Sequence, residues 1–289
     1  MSLKFGIGDL TIHRIIEQET TFLPALDLFP ALTADLLAEN RQWMRQAGAL
    51  DAEDILILCF QSYVVKTPHH TILIDSCIGN DKERPARPKW HMKSDDTYMR
   101  ALAAAGVSVA DIDYVMCTHL HVDHVGWNTM LEGGKWLPTF PNARYLMGRV
   151  EYEHWSRPQG REDMVAVFGD SVQPVFDAGL VDLVETDARI CDEIDLIPTI
   201  GHTPGHVSVR IRSRGEEALI TGDFMHHPCQ IAHPEWASTA DSDPEMGVRT
   251  RERMFETLAG TPVLVIGTHF AGATAGRIVR DGATYRLDV

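Results

Sequence analysis

The chain has few cysteines, and they are poorly placed for cross-linking. Five occur (Cys59, Cys77, Cys117, Cys191 and Cys229), an odd number with no Cys-x-x-Cys pair. A disulfide framework is therefore excluded as the basis of the fold, and a reducing compartment is expected. No apolar run reaches 18 residues, so a membrane-spanning helix is not expected either. The opening, Met-Ser-Leu-Lys-Phe-Gly, lacks the charged-then-apolar order of a secretory leader. These absences together lead to the expectation of a soluble, cytoplasmic protein without a membrane partner. Positive charge is scarce as well: 26 Lys and Arg stand against 41 Asp and Glu, a formal net charge of -15. A surface so acidic repels phosphate backbones, and nucleic acid is not expected as a partner.

What the chain does have is a series of short apolar segments. With 289 residues, 44% of them hydrophobic, it can bury a large core, and a single domain over 1–289 is expected. Residues 1–20 alternate enough to open with a strand. Residues 21–31, with two prolines among Phe22, Leu23 and Phe29, read as an apolar loop. Thr33 caps a helix over 34–47. Strands follow at 55–66 and 71–75, turned by Pro68-His69-His70. The second ends on Asp75, which suits either a helix cap or the partner of a metal-binding histidine. Residues 80–93 form a proline-broken loop. A helix starts at Asp95 or Asp96 and runs through Ala105, and Asp243 with Pro244 opens another over 245–259. Further strands are predicted at 112–116, 143–147, 181–184, 194–200 and 207–212, a short helix at 151–155, and a polar flap over 156–170.

The chemistry concentrates after the strand at 112–116. Within six positions stand His119, His121, Asp123 and His124. Imidazole nitrogen and carboxylate oxygen suit Zn²⁺ and similar ions. In an extended segment His119 and His121 point the same way and can meet one ion, while Asp123 and His124, past the turn, can face a second. Three other strand ends supply what is missing. Gly201-His-Thr-Pro-Gly-His206 sets two histidines in a tight turn. His206, which abuts the next strand, is read as the ligand, and His202 as a brace. Leu219-Ile-Thr-Gly-Asp223 ends an apolar strand on a carboxylate able to bridge two ions, and Val263-Leu-Val-Ile-Gly-Thr-His269 ends another on a histidine. The expected sets are His119, His121 and His206 for one ion and Asp123, His124 and His269 for the other, with Asp223 shared. Two divalent ions, taken to be Zn²⁺, are thus the expected cofactors. Such a pair lowers the pKa of a shared water and polarises a carbonyl or phosphoryl oxygen.

These residues resemble the metallo-β-lactamase superfamily, whose signature His-x-His-x-Asp-His is His119 to His124 here. The likeness runs over about residues 5–287. It implies an α/β fold, an αββα sandwich of two mixed β-sheets packed face to face, with helices on both outer faces and metals at one edge. Asp223 separates the chain from the true β-lactamases, which lack an aspartate there. Only 20 residues follow His269, too few for the helical glutathione-binding domain of glyoxalase II enzymes. The negative charge disfavours the RNA-binding ribonuclease Z-like members. The loop 201–206 and the Thr-His-Phe ending at 268–270 resemble the acyl-homoserine-lactone lactonases and their organophosphate-hydrolase relatives, a branch that allows a homodimer. Those lactonases carry a tyrosine three residues past the bridging aspartate, where it stabilises the developing oxyanion. Here that position is His226.

The expected reaction is hydrolysis of a small-molecule lactone or activated carboxylic ester by a metal-bridging hydroxide. Asp123 or Asp223 would move the proton, and the tyrosine's role either passes to His226, is abandoned, or gives way to a different substrate. Phe22, Leu23, Trp127 and Trp136 are candidates for an apolar substrate pocket, although large apolar residues more often pack inside. Phosphotriester hydrolysis by the same two ions is the alternative. A mononuclear iron persulfide dioxygenase, using two histidines and a carboxylate, is the second alternative.

Overall fold

Strands form where β-branched and aromatic residues run together, and they stop where a charge or a glycine interrupts them. A computed structural model describes residues 3–157 and 162–289 of the chain. In chain order the first strands are β1 (Lys4–Ile7), β2 (Leu10–Pro24), β3 (Ile55–Lys66), β4 (Thr71–Ile74) and β5 (Tyr114–Cys117). A separate hairpin follows, β6 (Thr129–Glu132) with β7 (Lys135–Pro138), and then β8 (Arg144–Gly148) and β9 (Val181–Val184). One sheet has the order β1-β2-β3-β4-β5-β8-β9. β4, β5, β8 and β9 are parallel, whereas β1 pairs β2 and β3 pairs β4 antiparallel. Parallel strands need both faces covered. Residues 72–74, 115–117 and 145–148 are accordingly unbroken buried runs.

The second sheet takes β10 (Ile194–Pro198), β11 (Val207–Ser213), β12 (Glu216–Ile220), β13 (Leu264–Ile266), β14 (Ala275–Asp281) and β15 (Thr284–Asp288) in that order. Only the β12–β13 pair is parallel. Both sheets are therefore mixed. The terminal β14–β15 hairpin escapes the sequence reading, because its residues alternate apolar with charged around Gly282 without a run of β-formers.

Length alone points to a single domain. Contacts divide the chain into two units, each assembled from two segments: 3–17 with 60–186, and 18–59 with 187–289. β2 and β3 pass from one unit into the other. In the second of these units the helix Ala34–Gln46 is capped as expected, Thr33 Oγ1 accepting from the Leu36 N–H at 3.2 Å. It buries Leu37 and Met44 among Leu28, Phe29 and Trp236. The helix Pro244–Leu258 starts where Asp243 accepts from the Met246 N–H at 2.9 Å, with proline in the first turn, where its missing N–H costs nothing. It turns Met254, Phe255 and Leu258 onto Leu219, Val265 and Ile278.

Two expectations need correction. Residues 21–31 are not a loop throughout: β2 runs through Phe22 and Leu23, and a helical turn, Ala25–Leu28, follows. Pro24 ends the strand, because it cannot donate to the ladder, but the apolar residues before it stay paired. The expected flap at 156–170 is largely helical where described, with Glu162–Val167 and Phe168–Val172 leading into Gln173–Asp177. Its residues 158–161 lie outside the described residues. Among the described residues no helix is long and apolar enough to cross a membrane.

The turns after β4 and β5 meet backbone to backbone. The Gly126 N–H donates to the Cys77 carbonyl at 2.8 Å, and a β-carbon on Gly126 would stand 1.9 Å from the Ile78 oxygen. No side chain fits there without moving the main chain. Gly126→Ala should cost about 3 kcal/mol or more and lower the thermal midpoint by roughly 6 °C or more. Unfolding followed by circular dichroism reads this directly, and an unchanged midpoint would contradict the contact.

Candidate metal centre

Each unit gathers its own set of donor side chains. In the 3–17/60–186 unit, β5 ends at Cys117 and the chain bends through Thr118, His119, Leu120 and His121 rather than staying extended. The two histidines still converge, their rings 4.7 Å apart, and His124 stands 4.0 Å from His119. His119 and His124 are buried, whereas His121 and Asp123 are half-buried. Asp75, at the end of β4, organises the turn. It adopts a left-handed backbone with φ of 57°. One carboxylate oxygen accepts from the Thr118 N–H at 2.7 Å, and the other lies 2.9 Å from His124 Nδ1. A carboxylate at Nδ1 places the proton there and leaves the Nε2 lone pair for a metal. Of the two readings of Asp75, the structure supports the histidine partner. Glu151, fully buried, accepts from the Leu120 N–H at 3.3 Å and from Trp155 Nε1 at 2.8 Å, and the Trp155 ring lies 5.4 Å from that of His121.

The other unit brings together the ends of β10, β12 and β13. Asp223 Oδ2 lies 3.1 Å from His269 Nε2 and 3.5 Å from the Nε2 atoms of both His202 and His226. All four residues are buried. His269 is oriented through Nδ1, which donates to the Cys59 carbonyl at 3.0 Å. His202 is oriented through Nδ1 at 3.1 Å from Asp241 Oδ1. Asp241 in turn faces the fully buried Arg251, 3.4 Å away, which also donates to the Pro234 and Phe224 carbonyls. His226 is placed by its N–H, which donates to Gln230 Oε1 at 2.7 Å. Burial pushes its imidazole down to about 3, so the ring is neutral.

His206, chosen from the sequence as a ligand, has different work. Its Nε2 accepts from the Asp223 N–H at 2.7 Å, and its Nδ1 donates to the Thr199 carbonyl at 3.0 Å. Gly222 makes the first contact possible: its φ is 56°, and a β-carbon there would come within 2.5 Å of His206 Nε2. His206 thus braces the turn that carries Asp223, while His202, expected to be the brace, faces Asp223 Oδ2 with its other nitrogen held by a carboxylate.

The residues expected to line a pocket make specific contacts, and Trp127 also lines a cavity with Met99, Met130 and Leu131. Phe22 and Leu23 lie against the cluster around Phe29 and Trp236. Trp127 stacks on Tyr98 at 5.2 Å and donates through Nε1 to Glu17 at 2.8 Å. Trp136 has the ammonium of buried Lys82 3.6 Å above its ring. Burial pushes that lysine down to about 7.

The donor set suits divalent ions. Two ligands of one tetrahedral ion, at bond lengths of about 2.0–2.2 Å, stand about 3.3–3.5 Å apart. The contacts around Asp223 Oδ2, at 3.1–3.5 Å, have that spacing. Imidazole with carboxylate is zinc-like chemistry, and both nitrogens of buried His226 lack a hydrogen-bond partner among the described residues.

The sequence profile of the metallo-beta-lactamase superfamily matches residues 61–266, more than half of the chain. The chain belongs to the metallo-β-lactamase superfamily. Its fold is that of the superfamily, an α/β fold with two mixed β-sheets and helices, as the sequence led one to expect. The chain is similar to an N-acyl homoserine lactonase of Bacillus thuringiensis, 25% identical over 234 residues that cover 76% of this chain and 85% of the relative. It is also similar to the N-acyl homoserine lactonase AttM of Azorhizobium caulinodans, 28% identical and covering 62% and 72% of the two chains. Among solved structures, the hydrolase AbOPH superposes with a TM-score of 0.82 at 22% identity, covering 99% of this chain and 96% of that one. The dizinc quorum-quenching lactonase AidC also gives 0.82, at 18% identity, covering 98% and 95%. The expectation of a hydrolase agrees with these relatives.

Two substitutions test the supports. Arg251→Met would leave Asp241 buried without its cation and should destabilise the protein by about 3–5 kcal/mol, read from urea unfolding. Asp75→Ala should weaken Zn²⁺ binding about 10–100-fold in competition with a chromophoric chelator. Wild-type affinity in that variant would show that His124 needs no partner.

Proposed function

We propose that this protein is a dinuclear metal-dependent hydrolase of lactones or activated carboxylic esters, with small molecules as its substrates. The carrying observation is Asp223 Oδ2 set against imidazole nitrogens at 3.1–3.5 Å in a buried cluster. The ligands on this reading are His119, His121, Asp123, His124, Asp223 and His269, with His202 in place of His206. The exchange rests on the hydrogen bonds: His206 Nε2 is committed to the Asp223 N–H, whereas His202 has the carboxylate-held ring usual for a ligand. These ligands would hold two divalent ions, zinc on this reading, which when bound would supply a water of lowered pKa and polarise a carbonyl oxygen.

The chain's own residues prepare that chemistry. Asp75, Asp241 and the Cys59 carbonyl each fix a ring proton on Nδ1, so that His124, His202 and His269 present Nε2 lone pairs. The His206 brace holds the Asp223 main chain, which keeps its carboxylate aimed without help from substrate. Asp123, half-buried and beyond the histidine turn, takes a proton from the attacking water and returns it to the leaving oxygen. The lactone substrate class is favoured by the N-acyl homoserine lactonases among the relatives.

Metal analysis of the purified protein, run beside hydrolysis assays on lactones, aryl esters and phosphotriesters, tests this reading. Two ions per chain and lactone or ester turnover are expected, with activity lost on chelation and restored by Zn²⁺. Asp223→Ala should lose both the second ion and more than about 100-fold in kcat/KM, beyond the usual cost of an orienting residue. Phosphotriester turnover alone would change the substrate class. One iron per chain, oxygen uptake with a persulfide and no hydrolysis would overturn the proposal.

A further inference from the structure

His226 stands three residues past Asp223, and nothing among the described residues uses its ring. Its ring is only 5% exposed, yet neither Nδ1 nor Nε2 has a hydrogen-bond partner among the described residues. Buried polar groups are nearly always satisfied, so an imidazole left open at both nitrogens points to a partner from outside the chain. The ring is also held still. The His226 N–H donates to Gln230 Oε1 at 2.7 Å, and Gln230 Nε2 donates to the Trp236 carbonyl at 2.8 Å. It lies parallel to the His269 ring, with centroids 6.1 Å apart, and stands 4.7 Å from the His202 ring.

The spacing identifies the partner. His226 Nε2 lies 3.5 Å from Asp223 Oδ2, the same distance as His202 Nε2 from that atom and close to the 3.1 Å of His269. A hydrogen bond between His226 and the carboxylate would be shorter and better aligned. Two donors flanking one ion stand about 3.3–3.5 Å apart. We propose that His226 Nε2 is a further ligand of the divalent ion held by Asp223, one imidazole more than the ligand set of the hydrolase reading above. The inference rests on the metal-dependent reading above. It also fixes the ring: with Nε2 on the ion, the proton sits on Nδ1. An added neutral donor makes the ion less electrophilic, which favours activated substrates over poor ones.

The test uses the full-length protein, stripped of metal and titrated with Zn²⁺ and Co²⁺. For the wild type, two equivalents should bind. In His226→Ala one equivalent should weaken by more than about 100-fold, beyond the 10–100-fold of a residue that only orients a ligand. The visible bands of the Co²⁺ protein should change in position and intensity. His226→Cys should restore the affinity and add a thiolate-to-cobalt charge-transfer band in the near-ultraviolet, a signature that only direct ligation produces and that decides the matter if the alanine variant folds poorly. Two tightly bound ions with unchanged Co²⁺ bands in His226→Ala, whatever happens to kcat, would overturn the ligand assignment and leave the hydrolase reading intact. A wild type that binds no divalent ion would overturn that reading first.

Discussion

A carboxylate deprived of water needs positive charge or donors, and Asp223 is the point at which this chain meets that requirement. It is 3% exposed and faces the Nε2 atoms of His202, His226 and His269, of which the His226 ring is held neutral by burial. A neutral ring such as that of His226 does not balance a carboxylate, whereas a divalent ion would. Much of the 18–59/187–289 unit serves this one group. β12 delivers it, Gly222 makes the turn, His206 holds its main chain, and the helix Pro244–Leu258 supplies Arg251 to fix Asp241 and through it His202. The unit spends a buried ion pair, which by itself adds little net stability, on the orientation of a single ring.

The same economy recurs among the histidines. A neutral imidazole can present either nitrogen, and a metal centre needs the choice made in advance. Three kinds of acceptor make it here: a carboxylate for His124 and His202, a strand carbonyl for His269, and a loop carbonyl for His206. In His206 the choice leaves Nε2 to accept from a backbone N–H, so the same local chemistry gives a histidine that holds the main chain.

That case shows where the sequence stops being legible. His119, His121, Asp123 and His124 announce themselves by spacing, and Asp223 and His269 by ending apolar strands. Within Gly201-His-Thr-Pro-Gly-His206 the two histidines have equivalent neighbours, and only the Asp223 N–H, 17 positions on, separates their roles. Asp241, Arg251, Glu17 and Glu151 carry no local pattern, and only burial reveals their function. Most of the strands and the two main helices follow from apolar runs and capping residues, whereas the mixing of parallel and antiparallel pairs is implied only by the family resemblance. Phe22, Leu23, Trp127 and Trp136 are legible in the sequence only as bulk, and bulk does not distinguish a pocket wall from a packed core.

The interleaving of the two units bears on how the chain is made. Residues 18–59 leave the ribosome early, but their unit also requires 187–289. At about 5–20 residues per second, roughly 6–26 s pass before the second segment begins to emerge. Through that interval the apolar face of the helix Ala34–Gln46 has no Trp236 to cover it. Neither unit can be expressed as one continuous fragment.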